Sequence, residues 1–555
     1  MDAGDAAVLL ELEAAIDPSV NARAIAIAAA VAVEGRAGVR DVIPTYRSVA
    51  VHFDPLVADV DGLRDLLRRA ANSAAAATDG ALVEVPVAYG GEHGPDLDEV
   101  ATFAKLSPAA VIERHCATEY RVFMLGFLPG FAYMGSVDDS IAAPRKATPR
   151  TRIPAGSVGI AGRQTGIYPR QSPGGWQLIG RTGLQVFDPF RSPASLFAPG
   201  DRVRFVAAAG IGDQGSGIKN IGALDARVEA LDPRSPIPDP HRRVTVIKPG
   251  LFTTIQDPGR WGHQDRGVPV AGPMDRRSYR LANALVGNPP GAAALEATLL
   301  GPELRIEQPA RVAIAGADLS ASIDGSALAA DSMRACGAGS VLRFGERRHG
   351  TRVYIAFDGG IDVPLVLGSR ATTVVCGLGG VDGRAMKAGD RLQLGESMQP
   401  GGKASAFAPQ VIEGGARVRI MRGPQDGYFN DSALDLLQRT RFTISPQSDR
   451  MGYRLVGSER TRLTMQGGPG PFGPGAMISD ATFIGGLQIP PSGEPILLMA
   501  DRQTTGGYPQ IATVITADLP LAGQLAPGDW IEFALCTRNE AIVALREQEE
   551  ALRAV

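Results

Sequence analysis

Residues 123–182 combine side chains that bind anions with turn residues that let backbone wrap around a ligand. Arginine supplies planar donors for a carboxylate or phosphate, and glycine lets backbone N–H groups approach closely. We therefore predict that this stretch binds an anionic substrate. Two alternatives remain open: glycines that only form tight barrel turns, and arginines that are solvated. The predicted substrate contacts are Arg150, Arg152, Gln164, Tyr168 and Ser172.

The second half of the chain carries two short clusters of acid, base and amide side chains. Residues 447–450 read Gln-Ser-Asp-Arg, and residues 501–504 read Asp-Arg-Gln-Thr. An aspartate in either cluster is a candidate general base toward water or an amide, and an Asp–Arg ion pair that fixes a loop is the alternative. The predicted catalytic residues are Asp449, Gln447 and Arg450. The predicted substrate contacts of this half are Asp257, Arg260, Met274, Asp275, Gln503 and Thr504.

Composition limits the class of protein. At 555 residues the chain exceeds one hydrophobic core, and its 68 glycines and 41 prolines favour many short strands joined by turns. A formal net charge of −3 provides no basic field for nucleic acid or an anionic membrane. The apolar run at 24–33 is too short to span a bilayer, and Asp2 and Asp5 replace the basic start of a signal peptide. We expect a mainly β protein of the cytoplasm that binds neither nucleic acid nor membrane.

Several catalytic signatures are absent from the sequence. No GxxxxGK[ST] phosphate loop occurs, and the GxGxxG matches that begin at Gly210 and Gly468 lack a strand-turn-helix context. No GxSxG elbow or amidase serine loop is present. The six histidines and four cysteines show no metal-ligand spacing, so no metal site is expected. Lys387 follows a methionine but precedes an alanine, so no covalent biotin is expected.

Element patterns divide the chain into five segments. Residues 6–88 read β-α-β-β-α-β, which is the ferredoxin-like order. The words APGDRVRF, KAGDRLQL and APGDWIEF, at 198–205, 387–394 and 526–533, each describe a turn followed by an alternating strand. Their recurrence predicts three related β domains, each closed by the same hairpin. The predicted segments are a small α+β domain (1–88), a barrel (89–208), a linker (209–243) and two further barrels (244–400 and 401–555).

Several longer sequence motifs resemble those of a known family. GFLPGFAYMG, TPRTRIPAGSVGIAGRQTGIYP and SPGGWQLIGRT resemble the B-type subunit of bacterial ATP-dependent 5-oxoprolinase, which is the Kip-inhibitor (KipI) type. PGLFTTIQDPGRWGHQ, GVPVAGPMD, SPQSDRMGYRL and ADRQTTGGYP resemble its C-type subunit, which is the KipA type. Both types are also called allophanate hydrolase subunits 1 and 2, and both are similar to the carboxyltransferase region of urea carboxylase. One departure is Ala132 with Met134, where the family usually has Pro and Leu.

The resemblance implies three cyclophilin-like barrels behind the small α+β domain, in agreement with the repeated hairpins. It implies a fusion of the B and C subunits of 5-oxoprolinase that opens the lactam of 5-oxo-L-proline to L-glutamate. ATP with Mg²⁺ and a separate A-type subunit would be required, and no motif locates the ATP. A carboxyltransferase-like component for urea, allophanate or another small amide, or a Kip-type regulator of a histidine kinase, is the alternative. An inhibitor joined permanently to its antagonist would be of little use, which favours the enzyme. A homo-oligomer is expected.

Overall fold

The computed structural model describes residues 1–73, 80–208, 242–397, 411–458, 462–463, 465 and 477–554. Within these residues the chain is mainly β, as the sequence predicts, with two closed barrels, additional sheets and a few helices. No helix among them is long and apolar enough to cross a membrane. The predicted linker at 209–243 lies outside the described residues except for its last two positions.

The first unit is an antiparallel three-stranded sheet that packs against two helices. Its elements are β1 (Ala7–Glu11), α1 (Pro18–Glu34), β2 (Val39–Pro44), β3 (Ser48–Phe53) and α2 (Val60–Ser73). The strand order is β1-β3-β2. Asp17 begins α1 by accepting a hydrogen bond from the backbone N–H of Ser19 at 2.8 Å. Helix α2 buries Leu63 and Leu67 in the core that it shares with Phe53, so the predicted pair of helices is present.

The second unit contains a closed seven-stranded barrel. Its elements are β4 (Leu82–Tyr89), α3 (Leu97–Ala104), α4 (Pro108–Ala117), β5 (Glu119–Leu125), β6 (Ala132–Gly135), β7 (Arg150–Ile153), β8 (Ser157–Ala161), β9 (Gln164–Ile167), β10 (Ser172–Gly174), β11 (Gln177–Arg181) and β12 (Arg202–Ala207), with a 3-10 turn at Asp139–Ile141. The barrel order is β11-β4-β12-β5-β6-β9-β8, and β7 pairs with β10 in a separate ribbon. Ser107 caps α4, because its hydroxyl accepts from the N–H of Ala110 at 3.2 Å.

Strand β4 corrects the predicted ferredoxin-like unit. The sequence assigns residues 82–88 to the N-terminal domain, but β4 pairs in parallel with β12, from Leu82 opposite Arg202 to Val87 opposite Ala207. Its residues Val85 and Val87 are buried in the barrel core. A local pattern identifies a strand without its partner, because pairing depends on contacts that are distant in sequence. The β-α-β-β-α order of the first unit therefore ends with α2.

The third unit consists of two sheets around one core. Its elements are β13 (Arg243–Lys248), β14 (Phe252–Gln256), α5 (Arg276–Leu285), β15 (Ala294–Thr298), β16 (Glu303–Ile306), β17 (Ala310–Asp318), β18 (Ser322–Ile323), β19 (Ser326–Ala327), β20 (Ser332–Cys336), β21 (Val341–Arg343), β22 (His349–Phe357) and β23 (Arg391–Gln393). The sheet orders are β19-β18-β21-β16-β13-β23 and β14-β15-β22-β17-β20. Val244 and Leu304 of the first sheet share a core with Ile314 and Ile355 of the second. The repeated hairpin word specifies the last strand of this unit, and its strands form two sheets around one core.

The fourth unit is again a closed seven-stranded barrel. Its elements are β24 (Gly415–Arg422), α6 (Asp431–Arg439), β25 (Phe442–Ile444), β26 (Gly452–Val456), β27 (Asp480–Ala481), β28 (Gly486–Gln488), β29 (Ile496–Leu498), β30 (Thr505–Gly506), β31 (Gln510–Val514), α7 (Leu519–Gly523), β32 (Trp530–Leu535) and α8 (Arg538–Arg553), with a 3-10 turn at Asp426–Tyr428. The barrel order is β24-β31-β28-β29-β26-β25-β32. Its first and last strands, β24 and β32, are parallel, as β4 and β12 are in the other barrel. The two closed barrels therefore share this feature of their topology.

The three repeated words build three similar turns. Each word leads into the last strand of its unit, namely β12, β23 or β32. In each turn the aspartate accepts a hydrogen bond from the backbone N–H three residues earlier: 2.7 Å for Asp201, 2.7 Å for Asp390 and 2.8 Å for Asp529. This bond closes the turn before the strand begins. The sequence repeat thus corresponds to a local structure that recurs.

Candidate functional site

The two closed barrels enclose a cavity of about 520 Å³ at their junction, which we call the interbarrel cleft. The first barrel contributes Phe127, Tyr133, Arg145, Gly162 and Gln164, and the second contributes Met477, Ser479, Gln503, Thr505 and Tyr508. These side chains supply aromatic rings, one guanidinium group, two carboxamides and several hydroxyls. Such a mixture suits a small polar ligand with a negative charge.

The hairpin of β8 and β9 places Gln164 in the first wall of the cleft. Ala161 lies opposite Gln164 in the pairing, and Gly162 has a φ of 58°, which permits the two-residue turn between them. Gln164 is buried, and its Nε2 donates a hydrogen bond to the hydroxyl of Tyr46 at 2.5 Å. A residue of the N-terminal unit therefore holds a side chain of the barrel at the cleft.

The second wall comes from the ribbon of β27 and β30. In this ribbon Ala481 lies opposite Thr505. The barrels touch here, because the backbone N–H of Phe127 donates to Oγ1 of Thr505 at 3.2 Å. Gly126 permits this approach, since a Cβ at that position would lie 1.9 Å from the same oxygen. The two halves of the chain therefore share this cleft.

Arg145 is the guanidinium group of the cleft. It is exposed, and across the described ranges no carboxylate lies within ion-pair distance of it. Neighbouring arginines are engaged elsewhere: Arg150 pairs with Asp96 at 2.6 Å, and Arg163 pairs with Asp139 at 3.0 Å. Of the arginines predicted to bind substrate, Arg152 also lies outside the lining and donates to a glutamine side chain at 3.1 Å.

The remaining predicted residues of the first barrel lie behind the cleft wall. Tyr168 is buried with its ring 5.4 Å from that of Phe131, and burial raises its pKa, so the phenol stays protonated. Ser172 is buried in β10, and its Oγ has no hydrogen-bond partner in the described part of the chain. In the second wall Gln503 lines the cleft, whereas Thr504 is buried beside it.

The predicted catalytic cluster lies at a second cavity. This lateral cavity, of about 370 Å³, is lined by Leu251, Val375, Asp449 and further residues of the third and fourth units. Asp449 is exposed, and its Oδ1 accepts from the N–H of Met451 at 2.8 Å. The Oε1 of Gln447 accepts from the Ser445 hydroxyl. The structure therefore does not bring residues 447–450 to the cleft wall that contains Gln164, and their catalytic roles stay predictions.

Arg450 is part of a buried ion-pair network. Its Nε and Nη2 donate to Asp501 at 3.0 Å each, and its Nη1 donates to Glu296. Burial alone would raise the pKa of Glu296, but the charges of Arg450 and Arg352 outweigh burial and lower this pKa. Burial has the largest single effect on the pKa of Arg450 and lowers it. The charges of Asp501 and Glu296 together outweigh burial, so the pKa of Arg450 is raised. Arg450 therefore stays charged and paired.

The other predicted contacts of the second half are engaged within the third unit. Arg260 is fully buried and donates to backbone carbonyls of segment 366–371, and burial lowers its pKa. Asp257 accepts two hydrogen bonds at 2.6 Å from the same segment. Asp275 caps α5, and the backbone N–H of Met274 donates to Glu296 at 2.9 Å. None of these four lines the interbarrel cleft or the lateral cavity.

Sequence reasoning missed several residues of these sites as contacts. Tyr46, Tyr133 and Thr505 belong to the cleft or its support, and Glu296 belongs to the buried network. Tyr133 lies in the word GFAYMG and Thr505 in TTGGYP, so their segments were recognised although their roles were not. Glu296 is the acidic residue of the otherwise largely apolar strand β15, and its role becomes visible only from its burial in the structure.

Comparisons with known proteins define the class. The model of the carboxyltransferase domain, subdomains C and D, matches residues 1–197, and that of subdomains A and B matches residues 266–535. The crystal structure of TTHA0988 superposes with a TM-score of 0.80 at 35% identity, covering 95% of this chain and 99% of that one. This chain is thus a carboxyltransferase-domain protein with both subdomain pairs.

Curated relatives narrow the class further. The chain is 38% identical over 304 residues to the C-type 5-oxoprolinase subunit of Escherichia coli K12, covering 55% of this chain and 94% of that protein. It is 44% identical over 215 residues to the B-type 5-oxoprolinase subunit of Bacillus subtilis 168, and the match covers 37% of this chain and 90% of that protein. The chain therefore belongs to the family of 5-oxoprolinase B and C subunits, with both types in one polypeptide. A part of the chain is also 35% identical over 314 residues to a putative urea carboxylase of Emericella nidulans, covering 55% of this chain and 25% of that protein.

Proposed function

We propose that this chain is the B and C component of an ATP-dependent 5-oxoprolinase that opens 5-oxo-L-proline to L-glutamate together with a separate A-type subunit. The observation that carries the proposal is the interbarrel cleft, which draws its lining from both halves of the chain. A site of this kind is incomplete in either half alone. That requirement accounts for a fusion of two subunit types.

The chemistry of the lining matches the parts of this substrate. The substrate has one carboxylate, one ring amide and three saturated ring carbons. Arg145, which lacks a carboxylate partner among the described residues, is assigned to the substrate carboxylate. The carboxamides of Gln164 and Gln503 are assigned to the lactam N–H and carbonyl. The rings of Phe127 and Tyr133 provide apolar surface for the ring carbons.

An unactivated lactam is a poor electrophile, which explains the need for ATP. Transfer of the γ-phosphoryl group to the lactam oxygen makes C5 more electrophilic, and water then adds to C5. Cleavage of the C5–N bond releases the amine, which takes up a proton, and leaves an acyl phosphate. A second water hydrolyses that acyl phosphate to the side-chain carboxylate and inorganic phosphate. Neutral donors such as the Tyr133 hydroxyl, whose pKa burial raises, are suited to stabilise the oxyanion.

A coupled ADP-release assay tests this function. The purified chain is assayed with 5-oxo-L-proline, with and without a protein of the A type, and glutamate is quantified. We expect ADP release that depends on 5-oxo-L-proline and on both proteins. Urea and allophanate serve as alternative substrates, because the chain also resembles a putative urea carboxylase. Stimulation by urea or allophanate, without any by 5-oxo-L-proline, would overturn the proposal.

Substitution of Arg145 tests the assignment of the carboxylate. Loss of a charge-assisted hydrogen bond costs about 1.5–3 kcal/mol, so Arg145→Ala is expected to weaken 5-oxo-L-proline binding by roughly 10- to 100-fold. Arg145→Lys should recover part of this loss, because it restores charge without the bidentate geometry. Arg163→Ala is the matched control, since Arg163 is exposed in the same barrel but pairs with Asp139. Equal affinities of Arg145→Ala and the control would remove Arg145 from the site.

A further inference from the structure

One turn of the N-terminal unit reaches both walls of the interbarrel cleft. The turn, residues 44–48, joins β2 to β3. On one side Tyr46 accepts a hydrogen bond from Gln164, which lines the first wall. On the other side Thr45 and Ser48 donate to the carboxylate of Asp480, which follows the lining residue Ser479 of the second wall. The turn is therefore placed to determine both the spacing of the walls and the orientation of Gln164.

Tyr46 is held rigidly enough to orient its partner. It is 1% exposed, and its ring lies 5.0 Å from that of Phe123 and 6.2 Å from that of Tyr133. Burial raises the pKa of Tyr46, so it remains a neutral phenol across the physiological range. A buried ring packed on two sides has little freedom to follow a movement of Gln164. The phenol oxygen is thus a fixed acceptor for the carboxamide nitrogen.

The remaining atom of the carboxamide is available to a ligand. With Nε2 of Gln164 directed to Tyr46, its Oε1 has no hydrogen-bond partner among the residues that the structure describes. That oxygen also retains contact with the cavity, since it is not among the buried unpaired polar atoms. A carboxamide oxygen accepts hydrogen bonds and cannot donate them. The cleft therefore presents an acceptor at this position.

We propose that Tyr46 is a positioning residue that fixes Gln164 so that its Oε1 accepts the N–H of the ligand, which makes the cleft selective for a lactam over the corresponding lactone. This inference rests on the proposed function and extends it to substrate selection. The N-terminal unit is then part of the site, although it lines no wall itself. A lactone has a ring oxygen in place of the N–H. This oxygen would face Oε1 of Gln164, and two acceptors cannot form a hydrogen bond with each other.

Binding of two ligands to Tyr46→Phe tests this role. The ligands are 5-oxo-L-proline and its lactone analogue, 5-oxotetrahydrofuran-2-carboxylate, titrated into the full chain with and without the A-type protein. The wild-type chain is expected to prefer the lactam. In Tyr46→Phe the carboxamide is free to rotate, so lactam affinity should fall by about tenfold and the preference should largely disappear. In turnover KM should rise by a similar factor, with a smaller change in kcat.

Matched variants separate positioning from general loosening. Tyr120→Phe removes a buried hydroxyl of the first barrel, one that donates to the carbonyl of His115 at 3.0 Å, and it should leave the preference unchanged. Ser48→Ala weakens the contact with Asp480. It should weaken both ligands equally, because it loosens the opposite wall without freeing Gln164.

A neutron crystal structure of Tyr46→Phe, in which the carboxamide nitrogen and oxygen of Gln164 are distinguishable, provides a readout that needs no ligand. We expect more than one orientation of the Gln164 side chain, and a single unchanged orientation would overturn the inference. An equal loss of affinity for both ligands in Tyr46→Phe would overturn it as well. If the wild-type chain binds neither ligand and releases no ADP with 5-oxo-L-proline, the proposed function fails, and the side-chain orientation still decides whether Tyr46 positions Gln164.

Discussion

Replacing Arg450 by leucine separates a structural role from the catalytic role that its sequence context predicts. Arg450 makes two 3.0 Å hydrogen bonds to Asp501 and a further one to Glu296. Side-chain exposure is 4% for Asp501 and 0% for Glu296, so the variant leaves two carboxylates buried without their main counterion. Breaking a buried pair in this way costs about 3–5 kcal/mol. For a cooperative unit of about 150–250 residues, the midpoint of thermal unfolding should fall by roughly 6–20 °C.

Differential scanning calorimetry at one fixed scan rate measures this loss. Asp449→Asn is the control, because Asp449 is exposed next to Arg450, and its midpoint should stay within about 2 °C of wild type. Combining Arg450→Leu with Glu296→Gln and Asp501→Asn removes the two stranded carboxylates. Part of the stability should return, because Arg352 loses its 3.8 Å contact with Glu296 but keeps its hydrogen bonds to the Tyr453 hydroxyl and the Gly523 carbonyl. A midpoint for Arg450→Leu equal to that of the control would refute the reasoning, as would a triple variant less stable than Arg450→Leu alone.

Two further predictions concern stability. Burial lowers the pKa of His115 to about 3. Below pH 6.5 the unfolded chain therefore binds a proton that the folded chain does not. The contribution of His115 to the free energy of unfolding should fall by about 1.4 kcal/mol per pH unit from pH 6.5 down to about pH 3. Denaturant midpoints should fall between pH 7.5 and 5, and buried His52, whose pKa is also lowered, contributes with the same sign. His115→Gln should reduce the slope, and equal slopes in the variant and the wild type would contradict the assignment. Gly126→Ala should cost about 2 kcal/mol, because its Cβ would lie 1.9 Å from Oγ1 of Thr505 across the barrel junction. Gly427→Ala is its control, since a Cβ there meets no atom within 4 Å, and equal midpoints would show that the junction yields without cost.

Local features of the fold were accessible from sequence. The amphipathic pattern of residues 59–71 corresponds to α2, and the Ser107-Pro108 start corresponds to α4. The repeated Gly-Asp words correspond to the turns before β12, β23 and β32. In each case neighbours a few residues apart determine the structure, through helix periodicity, capping or a hydrogen bond within the turn. The partner of β4 and the two-sheet form of the third unit depend on distant pairing, which no local pattern specifies.

The candidate site shows the same division. The arginines of residues 123–182 predict an anion site, but which arginine is available depends on acidic residues outside that stretch. Arg150 is paired with Asp96, which lies 54 positions earlier in the chain, whereas Arg145 faces the cleft. The local sequence does not distinguish the two arginines, because each directly follows a proline. The packing of α3 against the barrel brings Asp96 to Arg150 and leaves Arg145 available to a ligand.

The segment at 501–503 connects the buried ion-pair network to the interbarrel cleft. Asp501 is held by Arg450, and Nη2 of Arg502 donates to Gln264 at 2.6 Å. The next residue, Gln503, lines the interbarrel cleft. Two consecutive buried contacts therefore fix the backbone immediately before a cleft residue. Substitution of Arg450 should consequently reduce turnover by displacing Gln503, although Arg450 itself lines the lateral cavity. Loss of activity alone thus cannot identify Arg450 as catalytic, whereas recovery of ligand binding in the triple variant would assign it to support.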